Sequence, residues 1–226
     1  MPSIRAAIAF VLLASCALAQ DTYKAEAFKA APPEGVAASL KKELTEDAVR
    51  VTTADGKPFA EVWLRKAIPA TAKPSGPAGT VQFPVLAEGE WLGVVRFVSE
   101  GHDFRDQEVP KGVYTLRYGL QPVNGDHLGV STYRDYGLLL PAAKDADPAP
   151  LPKKKLETQS AESAGSSHPT ILMLIGVPSG TKPEPSILRD DEKNISGAVL
   201  VLPLAVPNQK TTEPMIVQLV IAGMAA

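Results

Sequence analysis

Val113-Tyr114-Thr115-Leu116-Arg117-Tyr118-Gly119-Leu120 decides the fold class. Successive side chains of an extended chain point to opposite sides, so Tyr114, Leu116, Tyr118 and Leu120 share one face. Thr115 and Arg117 fall on the other. Val109-Pro110-Lys111-Gly112 launches this strand as a turn, with Pro second and Gly fourth. Asn124-Gly125 then turns the chain back into a strand at 128–133, and 137–140 reads as one more.

The same period of two runs upstream. Residues 49–53 and 59–64 flank Ala54-Asp55-Gly56-Lys57, a hairpin signal because Asp and Gly tolerate positive φ. Residues 91–98 form a strand in which Trp91, Gly93, Val95 and Phe97 share a face and Arg96 points away. Residues 68–80 carry Pro69, Pro74 and Pro77 and read as a connecting loop. The best helix lies at 33–44. Pro33 and Glu34 suit a first turn, Val36, Leu40 and Leu44 fall on one face, and Gly35 weakens the pattern.

Downstream, 141–169 changes composition, with several prolines, Lys153-Lys154-Lys155 and a Ser/Ala-rich stretch. It reads as an excursion over the surface whose middle, 153–164, forms a short helix stopped by Gly165. Three runs follow at 171–177, 195–202 and 215–222. They are apolar on both faces, as central strands are. The 21 prolines favour short strands over long helices. The expected fold is mostly β: a two-sheet antiparallel β-sandwich with one short N-terminal helix and the long Pro-rich excursion. A jelly roll or a partly open barrel is the alternative.

The first residues read as an export signal. Arg5 is followed by a short apolar run at 6–14, and Ala17-Leu18-Ala19 is a small-residue cleavage site before Gln20. As the alternative, Leu13-Ala14-Ser15-Cys16 reads as a lipobox, which would lipidate Cys16 and anchor the chain. Either route places the body outside the cytoplasm, secreted or periplasmic. The expected organisation is a signal at 1–19, an N-terminal segment with the helix at 20–47, and one β domain at 48–226. Cys16 is the sole cysteine, so the mature domain holds together without disulfides. No later run is apolar and long enough for a transmembrane helix. A formal charge of −2 lacks the strongly basic balance that nucleic-acid binding needs.

The polar residues that bear chemistry cluster in three places: His102-Asp103-Phe104-Arg105-Asp106-Gln107, Asn124-Gly125-Asp126-His127, and Tyr133-Arg134-Asp135-Tyr136, with Ser166-Ser167-His168 further along. His102, His127 and His168 with Asp103 or Asp126 would make a zinc set only if folding gathered them. Their spacing does not. Turn chemistry accounts for Asp103, Asp106, Asn124 and Asp126 without calcium. No Gly-x-Ser-x-Gly, phosphate loop or dinucleotide fingerprint is present. No carboxylate pair stands out among Glu88, Glu90, Glu100, Asp103 and Asp106. Arg105-Asp106 and Arg134-Asp135 each set an Arg and an Asp beside an aromatic, an arrangement that ties loops together or grips an anionic or sugar ligand. Trp63 and Trp91 sit within strands and read as core. The ligand-contacting candidates are therefore His102, Asp103, Arg105, Asp106, Asp126, His127, Arg134, Asp135 and His168. No cofactor and no metal are expected.

Together, 103–107, Gly112-Val113-Tyr114-Thr115-Leu116-Arg117-Tyr118-Gly119, Gly125-Asp126-His127, Tyr133-Arg134-Asp135-Tyr136 and His168-Pro169 resemble a group of secreted bacterial proteins of unknown function. The likeness spans 101–169. It implies export and a β-sandwich, and it brings no activity with it. The expected function is a non-catalytic binding or structural module outside the cytoplasm, its partner a polysaccharide or another exported protein. A hydrolase or metal-dependent enzyme built on the same loops is the alternative.

Overall fold

The computed structural model describes residues 23–123 and 131–223. In chain order the elements are β1 (Lys24–Lys29), α1 (Ala38–Lys41), β2 (Leu44–Thr52), β3 (Pro58–Arg65), β4 (Ile68–Pro69) and β5 (Trp91–Phe97). There follow β6 (Gly101–His102), β7 (Glu108–Val109), β8 (Gly112–Leu120), β9 (Asp135–Pro141), α2 (Lys153–Ala161) and β10 (Ile171–Gly176). The chain ends with β11 (Ile187–Asp190), β12 (Ile195–Ala205) and β13 (Glu213–Ala222). The export signal, Cys16, Asp126 and His127 lie outside the described residues.

The protein is mostly β. Eleven strands join in one curled sheet, ten of them in the order β1-β2-β3-β5-β8-β9-β10-β13-β12-β11 and β4 beside β12, and β6 pairs with β7 in a small second sheet. Every pairing along the long path is antiparallel. The expected two separate sheets are instead one continuous path, for two local reasons. β10 divides its hydrogen bonds, Ile171 to Met173 facing β9 and Leu174 to Gly176 facing β13. β4 follows β3 almost at once and lies parallel to the end of β12, pairing Ile68 with Leu204. The sheet thus curls until its far part meets a continuation of its near part, a partial closure that shelters strand edges.

Inside the curl lies the main core, with Val62, Val95, Leu116, Tyr118, Leu139, Leu172, Leu200 and Leu219 among its members. Phe83, Val85 and Leu86 from the segment between β4 and β5 join it. The outer face is covered twice. The segment around α1 packs Val36 and Leu40 with Leu44, Ala48, Trp63, Trp91 and Val94. The segment around α2 packs Leu151 and Leu156 with Phe104, Tyr136, Leu138, Leu140, Met173 and Val220. Burial on both faces explains why β9, β12 and β13 read as apolar runs rather than alternations.

Four expectations change here. The helix read at 33–44 is the single turn α1. Gly35 takes φ 87° and Ala37 is extended, so a turn precedes it, while Leu44 already opens β2. Val36, Leu40 and Leu44 are still buried together. Trp91 leaves the face of Val95 and Phe97, because a bulge shifts the β5–β8 register between Trp91 and Gly93. The strand read at 128–133 falls largely outside the described residues, and 131–134 is not strand. The 141–169 stretch is no loose excursion. Its helix forms as read, α2 running on into a 3-10 turn at Glu162–Ala164 and ending at Gly165 with φ 60°. But Leu151, Leu156, Ser160, Ser163 and Thr170 are buried against the sheet.

Candidate functional site

The hairpin between β6 and β7 brings part of the expected constellation together. Asp103 is 0% exposed. Its Oδ1 accepts from the backbone N–H groups of Arg105 and Gln107, at 2.8 and 2.9 Å. Its Oδ2 accepts from Gln107 Nε2 at 2.8 Å and from the Ile171 N–H at 3.1 Å. The backbone bonds Asp103 to Gln107 and Phe104 to Ile171 close the same corner, and Gln107 Nε2 reaches the Pro169 carbonyl. Asp106 turns the hairpin with φ 61°, a conformation Asp tolerates better than most side chains. This short loop is held to 169–171 by one buried carboxylate, and charge-assisted bonds of this kind are the stronger ones. On its surface His102, Arg105 and Asp106 are exposed, and His168 is exposed beside Pro169.

Beneath Arg105 lies Tyr136, packed against Phe104 with ring centroids 6.4 Å apart. Burial pushes the Tyr136 hydroxyl up to about 12, while the nearby Arg105 guanidinium works the other way. The Tyr136 hydroxyl donates to Gln121 Oε1 at 3.3 Å. Arg134 Nε donates to the Gln121 carbonyl at 2.6 Å, and the Arg134 N–H donates to the Thr80 carbonyl.

Asp135 is a second buried carboxylate with a similar task. It accepts from the Gln82 and Phe83 N–H groups at 2.7 and 2.9 Å, and from the Tyr118 hydroxyl at 2.5 Å. This fixes the 80–86 segment at the end of the core. Burial, then the bond to Asp135, holds the Tyr118 hydroxyl far above its ordinary range. The fold therefore gathers His102, Asp103, Arg105, Asp106 and His168 at one corner. Arg134 and Asp135 serve a neighbouring anchor. Among the described residues no group of three or more His, Cys, Asp or Glu side chains is placed to hold a metal ion.

Among the described residues, the most heavily bonded charge is one the sequence does not flag. Arg117, 0% exposed, donates through Nε and Nη2 to the two oxygens of Asp145, at 2.6 and 2.8 Å. Its other N–H groups donate to the carbonyls of Gly89, Ala149 and Asp147. Thr115 Oγ1 donates to the same Asp145 at 2.6 Å. All five guanidinium N–H groups are used, as a buried cation requires. Arg117 thus straps the 145–149 segment to β8. The clue in sequence is Arg117 within an otherwise buried strand, but its partner lies 28 residues away.

A third charged group lies on the outer face. Glu61 is flanked across the strands by Arg50 and Arg96. Nearby, Arg65 bridges Glu43 and the buried Glu90. No helix among the described residues is long and apolar enough to cross a membrane. No family model, no curated protein and no solved structure matches this chain.

Proposed function

We propose that the chain is exported and acts as a non-catalytic, mostly β binding module at the cell surface or in the periplasm. Its contact surface is the corner bearing His102, Arg105, Asp106 and His168, and its partner is a polysaccharide or another exported protein. The observation that carries this reading is the role of Asp103 and Asp135. Both carboxylates are buried and take their hydrogen bonds from backbone and side-chain donors that tie loops together, Asp103 joining its own hairpin to Ile171 and Asp135 joining β9 to Gln82, Phe83 and Tyr118, so their lone pairs are spent on holding shape. What Asp103 holds in place is the hairpin that carries the exposed His102, Arg105 and Asp106, beside the segment of His168, and a loop held before binding loses less entropy on binding.

The test is thermal unfolding of the mature chain with chelator, with divalent metals and with a panel of bacterial and plant glycans. One glycan class should raise the midpoint, and Arg105→Ala with His168→Ala should abolish the rise without shifting the unliganded midpoint. A large fall with chelator would overturn the reading in favour of a metal-dependent site. Mass spectrometry of the mature N-terminus checks export, since cleavage before Gln20 and lipidation at Cys16 give different masses.

A further inference from the structure

On the outer face of the sheet, Glu26 of β1, Arg50 of β2, Glu61 of β3 and Arg96 of β5 stand directly opposite one another in register. The middle carboxylate is the buried one, with the Glu61 side chain 1% exposed against 33% for Arg50 and 41% for Arg96. Arg50 Nε donates to Glu61 Oε1 at 2.9 Å, and Arg96 Nε donates to Oε2 at 2.7 Å, with Nη2 of Arg96 bonded to the same oxygen. Two cations thus share one anion. Arg50 also lies over the Phe28 ring, 4.2 Å from its centroid, and Arg96 lies over Trp63 at 5.6 Å. Each guanidinium is fixed on one side by a carboxylate and on one face by an aromatic ring.

This arrangement leaves donors pointing outward. The two Nη groups of Arg50 and the Nη1 of Arg96 have no hydrogen-bond partner among the described residues. Glu26 is exposed, sits opposite Arg50 and forms no ion pair with it among the described residues. Its charge competes with any anion arriving at Arg50. A buried carboxylate that orients two half-exposed guanidiniums makes a preorganised pair of forks, and the planar fork matches a carboxylate or sulfate group. The site lies on strands, which hold side chains more exactly than loops do.

We infer that Arg50 and Arg96 form an anion-recognition site for the acidic groups of a polyanionic polysaccharide. The site is built from other residues than the His102–Arg105 corner and does not depend on it. One half-exposed guanidinium binds a free anion weakly, so a polymer whose successive acidic groups engage Arg50 and Arg96 together is the ligand that gains measurable affinity.

The experiment is binding of the mature protein to immobilised alginate at low salt, with dextran as the neutral polymer and sodium sulfate as free competitor. Alginate should retain the protein and dextran should not. Retention should fall as salt rises, because exposed charges are screened. Arg50→Gln and Arg96→Gln should each weaken alginate binding about fivefold or more, a loss within reach of one surface ion contact. Glu26→Gln should strengthen it, and Lys154→Gln should leave it unchanged. Arg50→Lys keeps the charge without the fork and should recover only part of the loss. Each variant is first checked for an unchanged melting transition, which the remaining Arg–Glu61 pair should secure. Equal losses in Lys154→Gln and Arg50→Gln would overturn the site as mere net charge, and so would equal retention on dextran. Loss in Arg105→Gln alone would overturn it and favour the hairpin corner.

Discussion

Glu90 shows how burial and pairing oppose each other at one residue. It is nearly inaccessible, and Arg65 Nη1 donates to its Oε1 at 2.9 Å. Burial raises its proton affinity, while Arg65, the Trp91 backbone N–H and Arg117 oppose the rise without cancelling it. A carboxyl whose folded pKa is raised binds its proton more tightly in the native state than in the unfolded chain. Its contribution is therefore present below the ordinary carboxylate value of 4.5 and is lost as pH rises through the higher folded value. Glu90→Gln removes this titration. Urea midpoints followed from about pH 4 to about pH 7 should show the variant gaining on the native protein as pH rises. A constant difference across that window would show that Glu90 is not perturbed. Asp135 teaches a related lesson, that a carboxylate beside an Arg in sequence can take its partners from distant backbone N–H groups instead.

At the scale of the element, the bulge in β5 decides which side chains cover which face. A strand without it would keep Trp91 on the side of Val95 and Phe97. The register shift between Trp91 and Gly93 moves Trp91 to the outer cluster under α1 and leaves Leu92 in the main core. Trp91 Nε1 donates to the Gly93 carbonyl at 2.7 Å, which keeps the indole satisfied. Gly93 sits where β3 comes closest, and a Cβ there would lie 2.2 Å from the Trp63 carbonyl oxygen. Gly93→Ala must therefore push β3 and β5 apart. It should lower stability in urea unfolding by about 3 kcal/mol, the upper end of overpacking penalties. Gly76→Ala, where a Cβ meets nothing within 4 Å, should change stability by less than about 0.5 kcal/mol. Equal effects of the two would mean that the strands tolerate the side chain. The edge strand β1 illustrates another element-level device: Lys24, Glu26 and Lys29 are exposed along it and discourage pairing with a further chain.

For the whole molecule, the decisive feature is that most of both faces of the curled sheet is covered. The inner face closes on itself, and the outer face depends on α1 and on the 145–164 segment. Removing 145–164 would leave Arg117 buried without its anion and uncover Leu138, Leu140 and Met173. Stranding a buried charge alone costs about 3–5 kcal/mol, a large part of the roughly 5–15 kcal/mol that holds a domain together. A chain lacking 145–164 should therefore lose its cooperative thermal transition by circular dichroism. Retention of a sharp transition would mark the segment as a dispensable surface loop.

By itself the sequence determined where most strands run, where Asp55-Gly56 turns the chain and where Gly165 ends α2. These depend on side-chain period and on the φ values a residue accepts, and both are local properties. It also made 113–120 legible as a strand with Arg117 turned away from Tyr114, Leu116 and Tyr118. Only the tertiary structure decided that the far face of that strand is also buried, that Asp145 answers Arg117 across 28 residues, and that Asp103 holds the hairpin to 169–171. It also decided that Glu61 stands between Arg50 and Arg96, and that one sheet curls instead of two stacking. The physical reason is the same in each case. A charge finds its partner, and an apolar face its cover, according to distances in space, and those distances exist only once segments far apart in the chain have packed.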